Sequence, residues 1–315
     1  MKRLLGIIFI AFVLAVLLRL FVFDTVSVAS HAMHKSYSVG DRLIVEKWSL
    51  GARMPLSIKM PFSSKIKSVK KPWLKLTDEP YRFSGFSFVR HNDLIVYNNP
   101  VKKQDVPFDL SPTLLSRCAG LPGDTVKVVG SKLFINGKYL QRPFDITTCF
   151  QFPYKDGSEV QKILKKTYPE SEIFHREETG FIFLTQYEYI KLVINESDIK
   201  MPLVQYKSIH DSKQIILPEK GQKLMLNKKN IELWRDLLDN YENVRISMSS
   251  DGRYEVDGKV ADTYSFKHDY YWLLNDHQGY LNDSRTFGVV PECLIIGKAC
   301  LILYSPVKKR LFQKI

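Results

Sequence analysis

At 315 residues, with 45% hydrophobic residues and plentiful aromatics, the chain is long enough for a full core and two lobes, which excludes a largely disordered protein. Its formal net charge of +13 favours anionic partners; beside an apolar N-terminal segment these are acidic membrane lipids, and without a nucleic-acid recognition motif no nucleic acid is expected. The four cysteines, Cys118, Cys149, Cys293 and Cys300, form no CxxC pair and no His stands at zinc spacing, so no metal or other cofactor is expected, while one or two disulfides of undetermined pairing stay open outside the cytoplasm.

In chain order, Met1-Lys2-Arg3 precedes an apolar run from Leu4 to Phe23 that only Arg19 interrupts. About twenty helical residues span roughly 30 Å, the thickness of a bilayer core, and Arg19 lies one turn from the far end, where it can snorkel to the interface. Lys2 and Arg3 hold the short N-terminus in the cytoplasm. Residues 1–25 therefore read as a single-pass anchor in the cell (inner) membrane, with the main domain on the outer side. A cleaved signal peptide is the alternative, because Ser27-Val28-Ala29 resembles a small-residue cleavage site. Pro55 to Trp73 reads as a basic surface loop near the headgroups.

Strand signals dominate beyond the anchor. Arg42-Leu43-Ile44-Val45 and Leu94-Ile95-Val96-Tyr97 are short apolar runs, each opened by an Asp. Pro122-Gly123 predicts a type II turn feeding the β-branched run Thr125 to Val129, and Asn136-Gly137 predicts a hairpin. Asp251-Gly252 and Asp257-Gly258 flank Arg253 to Val256 and predict a meander. Between these, Ser158 to Tyr168 reads as a basic helix ended by Pro169, and Asn227 caps a helix whose Ile231, Trp234, Leu237, Leu238 and Tyr241 share a face. The expected architecture is mainly β: a β core from 26–141 and 263–305, an α+β insertion lobe at 142–262, and a basic tail at 306–315.

Five stretches carry a resemblance. They are Ala29-Ser30-His31-Ala32-Met33; Val39-Gly40-Asp41 with its following strand; Asn92-Asp93-Leu94-Ile95-Val96-Tyr97; Ser116-Arg117-Cys118-Ala119-Gly120-Leu121-Pro122-Gly123-Asp124; and Asn275 to Pro291. In this order they resemble the type I signal peptidases, whose motifs are Pro-Ser-x-Ser-Met, Gly-Asp, Gly-Asp-Ile-Val-Val-Phe, Lys-Arg-x-x-Gly-Leu-Pro-Gly-Asp and Gly-Asp-Asn-Arg-x-x-Ser-x-Asp-Ser-Arg-x-x-Gly-x-Val-Pro. Tyr270-Tyr271-Trp272 and Ile296-Gly297-Lys298-Ala299 extend the match, which leaves only the insertion lobe uncovered. The resemblance implies a membrane-anchored serine endopeptidase that removes signal peptides from secreted preproteins.

The departures fall on the chemistry. In that family a Ser hydroxyl attacks the scissile carbonyl and a neutral, buried Lys removes its proton. Here the nucleophile position is Ala32 and the base position is Ser116. The supporting Ser of the last motif is Leu281, and its opening Gly is Asn275. Ser30, whose counterpart assists the oxyanion hole, is kept, as are Met33, Arg117, Asp283, Ser284 and Arg285; an Asp283–Arg285 pair is expected to be structural. The resemblance thus implies a non-cleaving copy that binds signal-peptide-like segments or assists an active paralogue. Two alternatives are an active peptidase with Ser30 or Ser36 as displaced nucleophile beside His31, His34 or Lys35, and a membrane-tethered β-rich interaction protein.

Overall fold

The computed structural model describes residues 2–58, 74–75, 81–100, 108–129, 132–171, 173–195, 203–206, 214–249 and 251–315. Most of the expected basic loop, 59–73, lies outside them. The fold is mainly β, with one apolar N-terminal helix long enough to cross a membrane.

Helix α1 (Lys2–Phe21) ends two residues short of its apolar run, and strand β1 (Phe23–Ser27) begins there. Asp24 fixes the change of direction. Its carboxylate accepts from Arg19 Nε at 3.3 Å and from Lys47 Nζ at 3.0 Å, while Lys47 also reaches the Arg19 carbonyl. Then follow β2 (Arg42–Glu46), β3 (Leu94–Asn98), β4 (Thr113–Gly120), β5 (Thr125–Val129) and β6 (Lys132–Ile135). Next come β7 (Thr147–Pro153), α2 (Glu159–Thr167), β8 (Ile173–Arg176), β9 (Thr179–Thr185), α3 (Gln186–Asn195) and α4 (Lys228–Leu237). The chain closes with β10 (Tyr270–Leu274), α5 (Ser284–Phe287), β11 (Val290–Pro291), β12 (Ile295–Tyr304) and β13 (Leu311–Lys314).

One curled antiparallel sheet runs β1-β2-β12-β3-β4-β10-β11, with β13 added to β12. Strand β3 is buried on both faces, which is why it reads as an unbroken apolar run rather than an alternation. Leu94 and Val96 enter a cluster with Val28, Met33, Tyr37, Leu43 and Ile302; Ile95 and Tyr97 enter another with Cys118, Leu273, Val290 and Leu294. Residues 306–315, expected as a tail, carry β13. Arg310 and Ser305 both bond the buried Asp41, which thereby ties the Gly40-Asp41 motif to the C-terminal hairpin.

Turn chemistry shapes the rest. Gly123 has φ +80°, and Asp124 Oδ2 accepts the Leu121 N–H, closing the Pro122-Gly123 turn. Asn136 and Gly137 both take positive φ between β6 and the short strand Lys138–Tyr139 that pairs with it, as a type I′ hairpin needs. Segment 142–262 contributes two packing units. Strands β7–β9 with α2 and α3 enclose Phe150, Phe152, Leu164, Ile182, Leu184 and Leu192. Helix α4 instead shares a core with Val126 and Ile135 of the β5–β6 hairpin and with Tyr270. The four cysteines are free thiols, so the open question of disulfides closes with none formed.

Candidate active site and its substitutions

Ser30 adopts an extended conformation and caps a short 3-10 turn, His31–Met33, its Oγ accepting the Ala32 N–H at 3.4 Å. Met33 is fully buried in the apolar floor. Ala32 is buried as well, and its carbonyl accepts the His277 N–H at 2.9 Å, fastening the turn to the loop after β10. The same turn packs on β4, so three separated motifs meet here.

Ser116, which the resemblance aligns with the general base, lies 1% exposed inside a closed hydrogen-bond network. Its hydroxyl donates to Asn275 Oδ1 at 2.8 Å, so the 3.0 Å contact with Tyr97 is a bond donated by the phenol. Burial pushes the Tyr97 pKa up, which keeps that proton in place. Asn275 in turn donates from Nδ2 to the Tyr280 and Asn282 carbonyls, and from its backbone to Asp283 Oδ2. A Gly at 275 could fill only the last of these roles, through its backbone N–H. The side chain that replaces it occupies the space beside Ser116 and satisfies it without any charge.

The retained polar residues serve the frame. Arg117 makes a bidentate pair with Asp276, Nε to Oδ1 at 2.9 Å and Nη2 to Oδ2 at 2.7 Å, both side chains being almost wholly buried. Arg142 approaches the same carboxylate and donates to the Asn275 carbonyl. Asp283 caps α5 and pairs with Arg285, while Ser284 Oγ accepts the Leu273 N–H at 2.9 Å. Leu281 is 57% exposed, and its role is confined to carbonyl bonds from Asp283 N–H and Thr286 Oγ1.

Sequence reasoning missed the residues that close the site: Tyr97, Asp276, His277 and, from segment 142–262, Phe183 and Glu188. The His277 ring packs 4.8 Å from Phe183 of β9, 6.2 Å from His34 and 5.3 Å from Tyr280. A Cβ on Gly279 would meet Phe183 at 2.8 Å, so this close approach requires glycine. Lys35 pairs with Glu188 of α3 at 2.9 Å, both largely buried. Desolvation, helped by His34 and His31, lowers the His277 pKa to about 4, and burial with Lys35 and His31 lowers that of His34. Nothing in the sequence separations, 153 residues for Lys35–Glu188, announces these contacts.

For the alternative chemistry, Ser36 Oγ and His34 Nε2 are buried without partners, and Ser30 Oγ takes only the Ala32 N–H. No nucleophile–base pair is assembled among these residues. Among the described residues no three His, Cys, Asp or Glu side chains converge as metal ligands.

The profile of the family described as Signal peptidase, peptidase S26, matches residues 1–178 and 186–304. The chain is 22% identical over 307 residues to a protein named Signal peptidase I from Buchnera aphidicola subsp. Schizaphis graminum, covering 98% of this chain and 76% of that one. A Signal peptidase I from Buchnera aphidicola subsp. Acyrthosiphon pisum is 24% identical over 292 residues, 92% of this chain and 70% of the relative. One from Leptolyngbya laminosa is 30% identical over 139 residues, 42% and 51% of the two chains.

Proposed function

Because the chain belongs to the signal peptidase family, peptidase S26, we propose that it is a non-cleaving member that binds signal-peptide-like segments at the membrane surface. The observation that carries this reading is the Ser116–Asn275–Tyr97 network: the base position is filled and fully bonded, and the nucleophile position has only a methyl group. Removing the nucleophile of a serine hydrolase alone costs on the order of a millionfold in turnover, and here the base is gone too.

Binding needs neither. Strand β1 is the edge of the sheet, and β10 pairs with β4 only from Arg117 onward, which leaves the outer edge of Thr113 to Ser116 without a strand partner among the described residues. Val26 on β1 and Leu115 on β4 lie against the same apolar cluster, that of Val28, Met33 and Tyr37. An extended apolar segment laid across this floor gains backbone pairing from open edges and burial for its side chains. The α1 anchor keeps the floor near the bilayer, where such segments emerge. An active paralogue assisted in this way is a partner compatible with the reading.

Photo-crosslinking tests it. A signal-peptide analogue carrying a photoreactive residue is expected to label β1 and the Thr113 to Leu115 stretch in detergent-solubilised protein. Labelling confined to other surfaces, or none, would leave only a tethered interaction protein.

A further inference from the structure

Strands β7–β9 and the short strand Val204–Gln205 form an antiparallel sheet with apolar side chains on both faces. Along β9 the burial alternates. Ile182 and Leu184 are buried in the core with α2 and α3, while Phe181 and Phe183 point the other way and stay partly open. The register sets Phe174 of β8 opposite Phe181, and Val204 and Tyr206 complete the same outer face, where Phe181 and Tyr206 meet edge-on at 5.7 Å. Phe174 is 50% exposed and Val204 57%. An antiparallel sheet with one solvated face ordinarily alternates apolar in and polar out, so an open aromatic face marks a surface that something covers. Where the face leads identifies the occupant. From Phe174 a row of rings runs through Phe183 at 6.4 Å, His277 at 4.8 Å and Tyr280 at 5.3 Å to His31 of the Ala32 turn at 6.3 Å. Strand β8 is also an edge of its sheet, without a partner on its outer side among the described residues.

We propose that the outer face of β7–β9 holds the polypeptide that continues beyond a bound signal-peptide-like segment, so that the ligand is an intact preprotein whose following stretch is extended and apolar. This inference rests on the peptide-binding reading above and extends it to the residues past the groove. A protein that does not cleave leaves those residues attached, and the ring row gives them a path away from the Ala32 turn. At roughly 3.3 Å per extended residue, at most about seven residues carry the chain along that row from His31 to Phe174. There it meets two sources of affinity: the open backbone edge of β8, which offers strand pairing, and the aromatic face, which buries its apolar side chains. Glycine at 279 keeps the row continuous, because a Cβ there would strike Phe183 at 2.8 Å.

The experiment measures fluorescence anisotropy of a labelled signal-peptide analogue with the full-length protein in detergent. The analogue is amidated at its last small residue, or continued by about three residues, by about ten residues rich in Leu and Phe, or by about ten of Gly and Ser. The long apolar form is expected to bind roughly tenfold or more tightly than the amide, and the other two within about twofold of it. The double variant Phe174→Ser with Val204→Ser changes only exposed side chains; it should abolish that gain and leave the affinity of the amide unchanged. A photoreactive residue about seven positions past the last small residue should label β8 or β9. Equal binding of the four forms, a gain that survives the double variant, or labelling elsewhere would overturn the docking face while leaving the peptide-binding reading standing. So would self-association of the protein in sedimentation that the double variant removes, because the face would then belong to a second copy. Failure of every form to bind would overturn both.

Discussion

On the non-cleaving reading proposed above, Ala32 and Ser116 decide the chemistry, and each makes a separate prediction. Ala32→Ser restores an oxygen but no base, so the variant should fold normally and leave a preprotein uncut. Restoring the base is harder than the sequence suggests. Ser116→Lys would drive an amine into a cavity already filled by Asn275 and bonded to Tyr97, an overpacked and desolvated cation that should cost about 3 kcal/mol or more in urea unfolding. Adding Asn275→Gly should recover part of that loss by reopening the space. Processing is therefore expected only from Ala32→Ser, Ser116→Lys and Asn275→Gly together. Leu281→Ser should add little, because that side chain faces solvent. Breaking the frame has a different signature: Asp276→Ala strands Arg117 without its buried partner and should destabilise the protein by about 3–5 kcal/mol, with no effect special to the site.

Between elements, segment 142–262 reaches the site through α3 and β9, and this junction should respond to acid. A neutral imidazole at His277, with its pKa lowered to about 4, packs on Phe183. The unfolded or undocked state has the ordinary value near 6.5 and binds more protons below it. Docking is thus fully stable above about pH 6.5 and weakens as pH falls toward 4. Hydrogen exchange at α3 and at residues 275–280 should accelerate over that window, and His277→Phe should suppress the change. Much else at this scale was legible beforehand. The Asn227 cap, the short helix before Pro169, the Asn136-Gly137 hairpin and the Pro122-Gly123 turn are local devices whose chemistry is written in adjacent residues, and each appears as read. Helix α3 was not anticipated, because its Tyr187, Ile190 and Ile194 face solvent and blur the amphipathic period. The Lys35–Glu188 clasp and the Asn275 plug were hidden for another reason. Both join residues more than a hundred positions apart, and only the folded sheet brings them together.

For the whole molecule, the sheet has open edges, an apolar floor and an apolar N-terminal helix long enough to cross a membrane, and the non-cleaving reading proposed above adds that Ala32 and the bonded Ser116 lack the atoms that would begin acylation. Family membership could be read from motif order alone. The surroundings of Ser116 could not, because its bonds to Asn275 and Tyr97 join residues that only the folded sheet brings together. The decisive measurement is a preprotein incubated with the unaltered protein in detergent and followed by intact-mass spectrometry of both chains. The expected result is a preprotein of unchanged mass and a protein with no added acyl group at any incubation time. A processed preprotein, or an acyl adduct on any of the protein's own side chains, would contradict the account.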